Sequence, residues 1–409
     1  MNQGFLSQYF VSVAAKKLSA VETDLERSHQ HEFNGSSELK GVLGTGTGER
    51  VVFETRFIWF GGENEGIVSD GYVTWYDSRL NHPTRSEYRL YFPSNEVMSL
   101  AQAGDSLFIA RRTDDTLLLI ITASGTTLEN QLHWLFALSK QENFNFSLQE
   151  FVEEDDVEVD FTVRFILDEL GIDIEEPETD RLDDLLQQFG TAFPSTREFS
   201  EFARNNLSIE VNSIEEPDTT LMAWLEFEES LFRRLERHIV AERIEKGFVD
   251  NEETDVDGFI KFSLSVQNRR KSRAGLSLEN HLEPILLSHS IAFERGAKTE
   301  NNSSPDFIFP NSEEYHNPIY NAEKLAMLGV KTSCKDRWRQ VLSEAKRIEN
   351  KHLLTLEPGI TESQTDEMKF NNLQLVLPKK IHETYSEAQK SWLFNLEDFL
   401  SFLKEIQSG

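Results

Sequence analysis

Apolar residues in the first third of the chain come in short runs that alternate with glycine-bearing turns such as Gly61–Gly62. This pattern is typical of β-strands, because β-branched and aromatic residues fit a pleated sheet and glycine permits tight turns. We expect strands at 51–60, 71–76, 88–92 and 116–122. A helix is expected to follow at 130–139. The strands predict a small barrel or sandwich as the N-terminal fold.

The composition changes after Phe151, where two acidic runs, Glu153–Asp160 and Asp173–Asp184, follow each other. Pro177 interrupts the second run, so we expect residues 151–188 to form an acidic, solvated linker with short helices. A DNA-mimicking or autoinhibitory segment is an open alternative, since acidic side chains can occupy a basic groove.

Beyond Pro194 the apolar residues take a helical spacing, and a helix over 221–246 places Leu225, Leu231 and Leu235 on one side. We then expect, in order, a helix at 277–288, strands at 305–309 and 325–333, and a helix at 336–349. This succession of helices and strands predicts an α/β domain.

The length of the chain indicates how many domains it has, and its net charge limits how it can bind nucleic acid. A chain of 409 residues exceeds one ordinary core, so we expect two domains, residues 1–150 and 189–409, joined by the acidic linker. The formal net charge of −30 argues against a protein that coats nucleic acid indiscriminately, because each phosphate contact needs local positive charge. A specific DNA binder remains compatible with this charge if its Lys and Arg residues gather at the interface.

Cysteine content and hydropathy narrow the cellular setting. The single cysteine, Cys334, excludes an internal disulfide and a cysteine-based zinc site, and it fits a reducing compartment. Residues 1–10 lack the features of a signal peptide, and no run approaches the ~18 apolar residues of a membrane span. We therefore expect a cytoplasmic protein with no membrane partner.

Candidate chemistry lies at the predicted strand ends of the second half. Asp306 enters a short apolar strand, Lys331 ends the next one, and Glu344 falls on the helix predicted after it. Carboxylate oxygens suit Mg²⁺, and a lysine can stabilise charge on a phosphate in a metal-dependent phosphodiesterase. Taken alone, the pattern also fits a turn aspartate and a surface lysine. Nuclease sites of this kind usually carry an acid two positions before the lysine, where this chain has Gly329.

The most specific pattern in the second half is a set of blocks: Asn268–Gly275, Leu278–Glu279, His281–Glu283, Pro305–Phe307 and Val330–Gln340. Together they resemble the catalytic domain of the EcoRII family of restriction endonucleases, from about Phe193 to the end of the chain. The resemblance implies a PD-(D/E)XK nuclease domain of α/β fold. It also implies that a glutamate from the following helix replaces the missing strand acid.

Carried over from this family, the catalytic core is Asp306, Lys331 and Glu344, with Glu279 as a supporting acid. Asp306 and Glu344 are the implied Mg²⁺ ligands. The family also implies that Lys335, Asp336 and Arg337 read the bases of a CC/GG half-site, since arginine can bond guanine and a carboxylate can accept from cytosine. An alternative is that Asp336 caps a helix N-terminus.

A basic run, comprising Arg269, Arg270, Lys271 and Arg273, suits contacts to the DNA backbone. In the N-terminal part, Trp75–Arg79 and Thr84–Arg89 resemble the effector domain of the same family, a B3-like all-β pseudobarrel that binds DNA. Arg85, Glu87 and Arg89 would alternate along one face of a strand, and Arg79 and His29 complete the expected DNA-binding set. A charged outer face of an ordinary antiparallel sheet is the alternative.

The resemblance therefore implies a type II restriction endonuclease that hydrolyses double-stranded DNA at a specific site with Mg²⁺. Cutting both strands calls for two active sites, so a homodimer through the C-terminal domain is expected. The N-terminal domain is expected to act as a DNA-sensing effector that restrains the nuclease until it binds DNA. Two alternatives remain open, namely an endonuclease that depends on methylated cytosine and a DNA-binding regulator with an inactive nuclease domain.

Overall fold

The computed structural model divides the chain into two compact units, Met1–Ile174 with Gly359–Thr361, and Glu175–Pro358 with Glu362–Gly409. The structure describes residues 4–23, 31–45, 50–62, 66–139, 144–152, 157–172, 174, 182–250, 253–300, 303–334 and 337–408. Within these residues, no helix is both long enough and apolar enough to cross a membrane.

The first unit is built on an eight-stranded sheet. Its strands are β1 (Phe10–Lys17), β2 (Glu32–Asn34), β3 (Val51–Phe60), β4 (Ile67–Asp77), β5 (Tyr88–Tyr91), β6 (Ser106–Arg112), β7 (Leu117–Thr122) and β8 (Ser147–Glu150). Its helices in the described residues are α1 (Ala20–Thr23), α2 (Ser37–Leu43), α3 (Glu96–Leu100), α4 (Thr127–Leu135) and α5 (Phe161–Glu169). The strands predicted at 51–60 and 116–122 are confirmed to within a residue.

The sheet has the order β2-β5-β4-β3-β7-β6-β1-β8, and its neighbours are antiparallel except for the parallel pair β3 and β7. Strand β7 is buried along its whole length because both faces of the sheet carry a core. Leu119 belongs to one core and Ile120 to the other. Alternating side chains point to opposite faces of a strand, so one run of apolar residues serves both cores.

The sheet is a curled half-barrel with helices on both faces. Phe33 of β2 and Phe146, next to β8, belong to the same core, so the two edges of the sheet bend around it. No pairing among the described residues joins β2 to β8, and the sheet is open there. Ile166 of α5 packs into the core on the opposite face. The structure therefore shows neither a closed barrel nor a purely β unit.

The second unit contains a five-stranded mixed sheet and a long helical hairpin. Its sheet strands are β11 (Glu294–Arg295), β12 (Phe307–Phe309), β13 (Ala326–Lys331), β14 (Lys351–Thr355) and β15 (Leu373–Val376), in that order. A short ribbon of β9 (Val249–Asp250) and β10 (Glu253–Thr254) lies between the hairpin helices. The helices are α6 (Leu182–Phe189), α7 (Thr196–Asn206), α8 (Pro217–Glu245), α9 (Val256–Ser288), α10 (Ser312–His316), α11 (Trp338–Val341), α12 (Glu362–Phe370), α13 (Glu387–Lys390) and α14 (Leu396–Ser408).

Strands β11, β12 and β13 are antiparallel, whereas β13, β14 and β15 run parallel. The central strands are apolar and buried on both faces, as parallel strands covered on both sides usually are. The helix predicted at 277–288 is the last part of α9, which begins 21 residues earlier at Val256. The earlier turns escaped prediction because residues such as Arg269 and Arg270 are exposed and break the apolar periodicity.

Candidate active site

Antiparallel pairing of β12 and β13 brings Asp306 and Lys331 together. Asp306 directly precedes β12, and Phe307 lies opposite Leu328 of β13, so the start of one strand meets the end of the other. Lys331 Nζ lies 2.8 Å from Asp306 Oδ2, and the backbone N–H of Val330 donates to the same oxygen at 2.6 Å. Both side chains are about one-fifth exposed, so the pair lies at the surface without being fully solvated. The sequence-based pairing of these two residues agrees with this geometry.

Glu344 reaches the same site from a turn, and the expected helix over 336–349 is wrong. In the described part of that range only Trp338–Val341 is α-helical. The N–H of Glu344 donates to the carbonyl of Val341 at 3.1 Å, and Ala345 then adopts a left-handed φ of 45° that ends the helical path. Glu344 therefore projects from a fixed turn.

The electrostatic environment of Glu344 disfavours its charged form. Burial raises the pKa of Glu344 to about 7, the negative charge of Asp306 adds to the rise, and Lys331 and Lys351 oppose it. Its Oε2 atom is buried and has no hydrogen-bond partner in the described part of the chain. A proton or a cation bound to a buried carboxylate oxygen in this position would stabilise it.

Two cations that sequence reasoning missed hold the turn. Lys351 Nζ donates to the carbonyl of Ile348 at 2.6 Å, and Arg347 Nη1 donates to the carbonyl of Tyr315 at 2.5 Å. The Lys351 contact satisfies a carbonyl at the end of the turn where a helix would otherwise continue. Neither residue belongs to a local motif, so no sequence pattern points to it.

Close packing against Val341 explains why β13 has a glycine, Gly329, and no acid two positions before Lys331. A Cβ atom at Gly329 would lie 2.9 Å from Cγ2 of Val341, which is closer than such atoms normally approach. Helix α11 therefore packs directly onto the strand at this point. The chain then continues from α11 to Glu344, so the packing that excludes a strand carboxylate also brings in the glutamate.

We expect Gly329→Ala to destabilise the protein by about 1–3 kcal/mol, because an added methyl group overpacks the contact with Val341. Gly275→Ala is the matched control, since a Cβ there meets nothing within 4 Å. Alanine in a helix interior is favoured over glycine by about 1 kcal/mol, so the control should be neutral or stabilising. Urea unfolding measures both, and equal losses of stability would contradict the packing argument.

Glu279 lies on α9 and is held by Arg295 of β11. Arg295 Nη2 lies 2.8 Å from Glu279 Oε2, and Arg295 Nη1 lies 2.7 Å from Glu283 Oε2. Burial raises the pKa of Glu279, the hydrogen bond from Arg295 lowers it, and the charge of Asp306 raises it further. Glu279 thus shares its electrostatic environment with the Asp306–Lys331 pair. Arg295 was not expected from the sequence, because a lone arginine in a two-residue strand gives no signal.

The donors suit a hard divalent cation, although no set of three or more His, Cys, Asp or Glu side chains forms a metal site within the described residues. Asp306 and Glu344 offer only carboxylate oxygens, the ligand type that Mg²⁺ prefers. Their charges disfavour one another, and the buried Glu344 Oε2 has no hydrogen-bond partner in the described part of the structure. A cation would relieve both effects.

Comparison with known proteins shows what this region is similar to. Residues 232–400 match the family model described as EcoRII C terminal. The chain is also 41% identical, over 212 residues, to the type II restriction enzyme EcoRII of Escherichia coli. That alignment covers 52% of this chain and 50% of the relative, so the chain matches about half the length of the curated relative. The expected resemblance to the EcoRII family is confirmed for this region.

Two solved structures show weaker similarity. Metal-depleted Ecl18kI in complex with uncleaved, modified DNA has a TM-score of 0.46 at 18% identity, covering 55% of this chain and 83% of that one. The PspGI–substrate DNA complex has a TM-score of 0.42 at 16% identity, covering 55% of this chain and 95% of that one. The assignment of the EcoRII-like region rests on the sequence matches and on its own geometry.

The basic run of the EcoRII-like region differs from expectation. Arg273 is buried, and its Nη1 lies 2.9 Å from Glu228 Oε1. Arg270 is exposed, and its Nη2 lies 2.6 Å from Glu236 Oε2. The helical periodicity of α9 turns Arg273 inward, so this residue does not belong to a phosphate-binding surface. Arg269 and Arg270 are both exposed, so the expected role of these two residues in DNA-backbone contacts stays a prediction.

The segment that follows Lys331 is only partly described. Lys335 and Asp336 lie outside the described residues, as do His29 and the side chain of Lys271. Arg337 is exposed, and its Nη2 donates to the carbonyl of Ser333 at 2.9 Å. Cys334 is buried, and burial raises the pKa of its thiol well above the ordinary value.

The candidate residues of the first unit lie outside the EcoRII C-terminal match. Arg85 and Glu87 precede β5, so the expected alternation with Arg89 along one strand is wrong. The N–H of Glu87 donates to Asp77 Oδ1 at 2.8 Å, which holds this segment as a loop against the end of β4. The Glu87 carboxylate pairs with both Arg79 and Arg89, and Arg85 is exposed.

Proposed function

We propose that this chain is a type II restriction endonuclease that hydrolyses phosphodiesters of double-stranded DNA at a specific site with Mg²⁺. The observation that carries the proposal is the meeting of Asp306 and Lys331 at 2.8 Å within the EcoRII-like region. The nearby Glu344, with its buried oxygen, completes an arrangement suited to phosphodiester hydrolysis. The expected products are a 5′-phosphate and a 3′-hydroxyl.

Asp306 and Glu344 are the residues that would hold Mg²⁺. When bound, the ion would act as a Lewis acid toward the scissile phosphate. Lys331 would leave part of its contact with Asp306 and donate to a non-bridging phosphate oxygen, stabilising the negative charge that develops there. Asp306, already bonded by the N–H of Val330, would keep its position during this exchange.

Sequence recognition is proposed for the segment Lys335–Arg337, directed at a CC/GG half-site. Arg337 is exposed and lies six residues beyond Lys331, close enough in sequence to reach bases beside the scissile phosphate. A guanidinium can bond both acceptors of guanine in the major groove.

We expect Arg337→Ala to lose discrimination of the outer C·G pairs, by about 1–3 kcal/mol for each lost bidentate contact. Arg339→Ala is the matched control, because Arg339 is also exposed and its Nη2 pairs with Glu367 at 2.7 Å. Binding is measured on DNAs that differ at one base pair. A uniform loss of affinity across all sequences would show that Arg337 only contacts phosphate.

We propose that the first unit, Met1–Ile174 with Gly359–Thr361, is a B3-like DNA-binding domain that acts as an effector of the nuclease region at 189–409. The expected linker over 151–188 differs from the fold, because Ile166 of α5 lies in a core of the first unit and Leu185 of α6 lies in a core of the second. Arg79, Arg85 and Arg89 gather at the end of β4 and the start of β5, which supports a DNA-facing role. Arg85→Ala should weaken the response to a second DNA copy in the full chain. If a second DNA copy stimulates cleavage by the variant as much as cleavage by the wild type, Arg85 does not take part in the proposed effector role.

A homodimer through the second unit is proposed from an apolar stripe. Ile244 of α8 and Val256, Phe259, Ile260 and Leu264 of α9 are each between 48% and 58% exposed. A patch of this kind on a helical hairpin suits burial against a second copy of itself, because a two-fold interface uses the same surface twice. Two active sites would then face one duplex.

We expect Ile260→Asp combined with Leu264→Asp to shift the protein from dimer to monomer, because a carboxylate buried in an apolar interface is strongly disfavoured. Ile319→Asp is the control, since Ile319 is 93% exposed and lies outside the stripe. Sedimentation measures the mass. A wild-type monomer, or a dimer that survives the double substitution, would refute this interface.

A further inference from the structure

Arg295 makes a three-way contact that no assigned role explains. Its guanidinium contacts two acids and one amide of α9, with Nη2 at 2.8 Å from Glu279 Oε2, and Nη1 at 2.7 Å from Glu283 Oε2 and 3.1 Å from Asn280 Oδ1. The Arg295 side chain is one-fifth exposed. A planar guanidinium bound at several points has a fixed orientation, unlike a lysine ammonium.

The backbone of Arg295 is tied to the strand that presents Asp306. Arg295 lies opposite Phe307 in the β11–β12 pair, and the N–H of the following Gly296 donates to the carbonyl of Asp306 at 3.1 Å. The guanidinium also lies 5.5 Å from the ring centre of Phe307. Arg295 therefore links the strand that carries Asp306 to the helix that carries Glu279.

The position of the Glu279 carboxylate depends on Arg295, because the Arg295 guanidinium donates a hydrogen bond to it. Lys331 is bonded to Asp306, so its charge is already shared with that carboxylate. Glu283 has a second partner, because its Oε1 lies 2.8 Å from Nη2 of the exposed Arg197. Glu283 thus anchors Arg295 at the rim, whereas Glu279 lies on the side of Asp306 and Lys331, whose charges it senses.

We propose that Arg295 is a positioning residue of the nuclease site: anchored by Glu283 and Asn280, its guanidinium holds the Glu279 carboxylate beside Asp306 and Lys331. This inference rests on the proposed nuclease function. In this role Arg295 acts through Glu279.

The test compares Arg295→Gln, Arg295→Lys, Glu279→Gln and the double variant in the full chain. Arg295→Gln and Glu279→Gln should each lower kcat by about 10- to 100-fold with little change in KM for DNA, as losses of residues that orient a site usually do. The double variant should be no slower than Glu279→Gln alone, and Arg295→Lys should recover part of the rate. Losses that multiply in the double variant would overturn the proposal, because Arg295 would then act independently of Glu279.

A second readout uses Mg²⁺ binding without DNA, measured by calorimetry. Removing a positive charge near the site would by itself tighten Mg²⁺ binding, whereas losing the position of Glu279 would weaken it. We expect Arg295→Gln and Glu279→Gln each to weaken Mg²⁺ binding, and Arg197→Gln, the matched control, to leave it unchanged. Tighter or unchanged binding in Arg295→Gln would overturn the proposal. A wild-type protein that cuts no DNA would instead refute the nuclease function.

Discussion

Asp306→Asn is expected to abolish DNA cleavage while specific DNA binding in the absence of Mg²⁺ survives. The amide keeps an oxygen that can accept the N–H of Val330, so the strand end should remain in place. It removes the charge that would hold Mg²⁺ and that now pairs with Lys331 at 2.8 Å. Loss of one group that stabilises a transition state costs on the order of 10²- to 10³-fold in rate, and loss of a metal ligand adds to this.

Lys331→Gln is the companion variant. Its cleavage rate should fall by a similar factor, because the Lys331 ammonium is the proposed partner of the phosphate. Asp366→Asn is the matched control, since Asp366 pairs with Lys369 on the surface of α12. Rates are measured on plasmid DNA, and binding is measured by gel shift. Near-normal cleavage by either site variant would remove Asp306 and Lys331 from the catalytic core.

Glu344→Gln is expected to lower cleavage on the order of 100-fold and to change how stability depends on pH. Burial and the charge of Asp306 raise the pKa of Glu344 to about 7 from an ordinary value of 4.5. The folded state therefore binds this proton more tightly than the unfolded state does. Stability from Glu344 is present below about pH 4.5 and is lost as pH rises through 7.

Glutamine carries no charge at any pH. The melting temperatures of the Glu344→Gln variant and the wild type should therefore diverge as pH rises. At pH 5 the metal-free variant and the wild type should melt at similar temperatures, and at pH 8 the variant should melt higher. Thermal unfolding in the presence of a chelator measures the difference. A difference that is the same at both pH values would contradict the buried, charge-repelled position of Glu344.

The sequence predicted the parts of the fold that depend on local pattern. Strand β3 was expected at its observed bounds because apolar and β-branched residues fill it. Asp306 and Lys331 were expected to act together because the blocks that carry them resemble the EcoRII catalytic domain. The strand ends alone left a turn aspartate and a surface lysine open, and the antiparallel pairing that joins the two residues is a finding of the structure.

The turn at Glu344 shows where local pattern misleads. Trp338, Val341, Ala345 and Ile348 are all buried and have helical spacing, which favoured one continuous helix. The chain leaves the helical path at Ala345, and a lysine from β14 satisfies a carbonyl beyond it. Contacts of this kind join residues that no window of sequence compares, and the same holds for Arg295.

The proposed nuclease activity is measured by incubating the 409-residue protein with Mg²⁺ and plasmid DNA and sequencing the cut ends. We expect double-strand cuts at one recognition sequence that contains CC/GG half-sites, with 5′-phosphate ends, and no cuts by Asp306→Asn. Cleavage of methylated DNA alone would instead indicate a modification-dependent enzyme. If neither methylated nor unmethylated DNA is cut, or if cutting persists in Asp306→Asn, the chain is not a nuclease of the proposed kind.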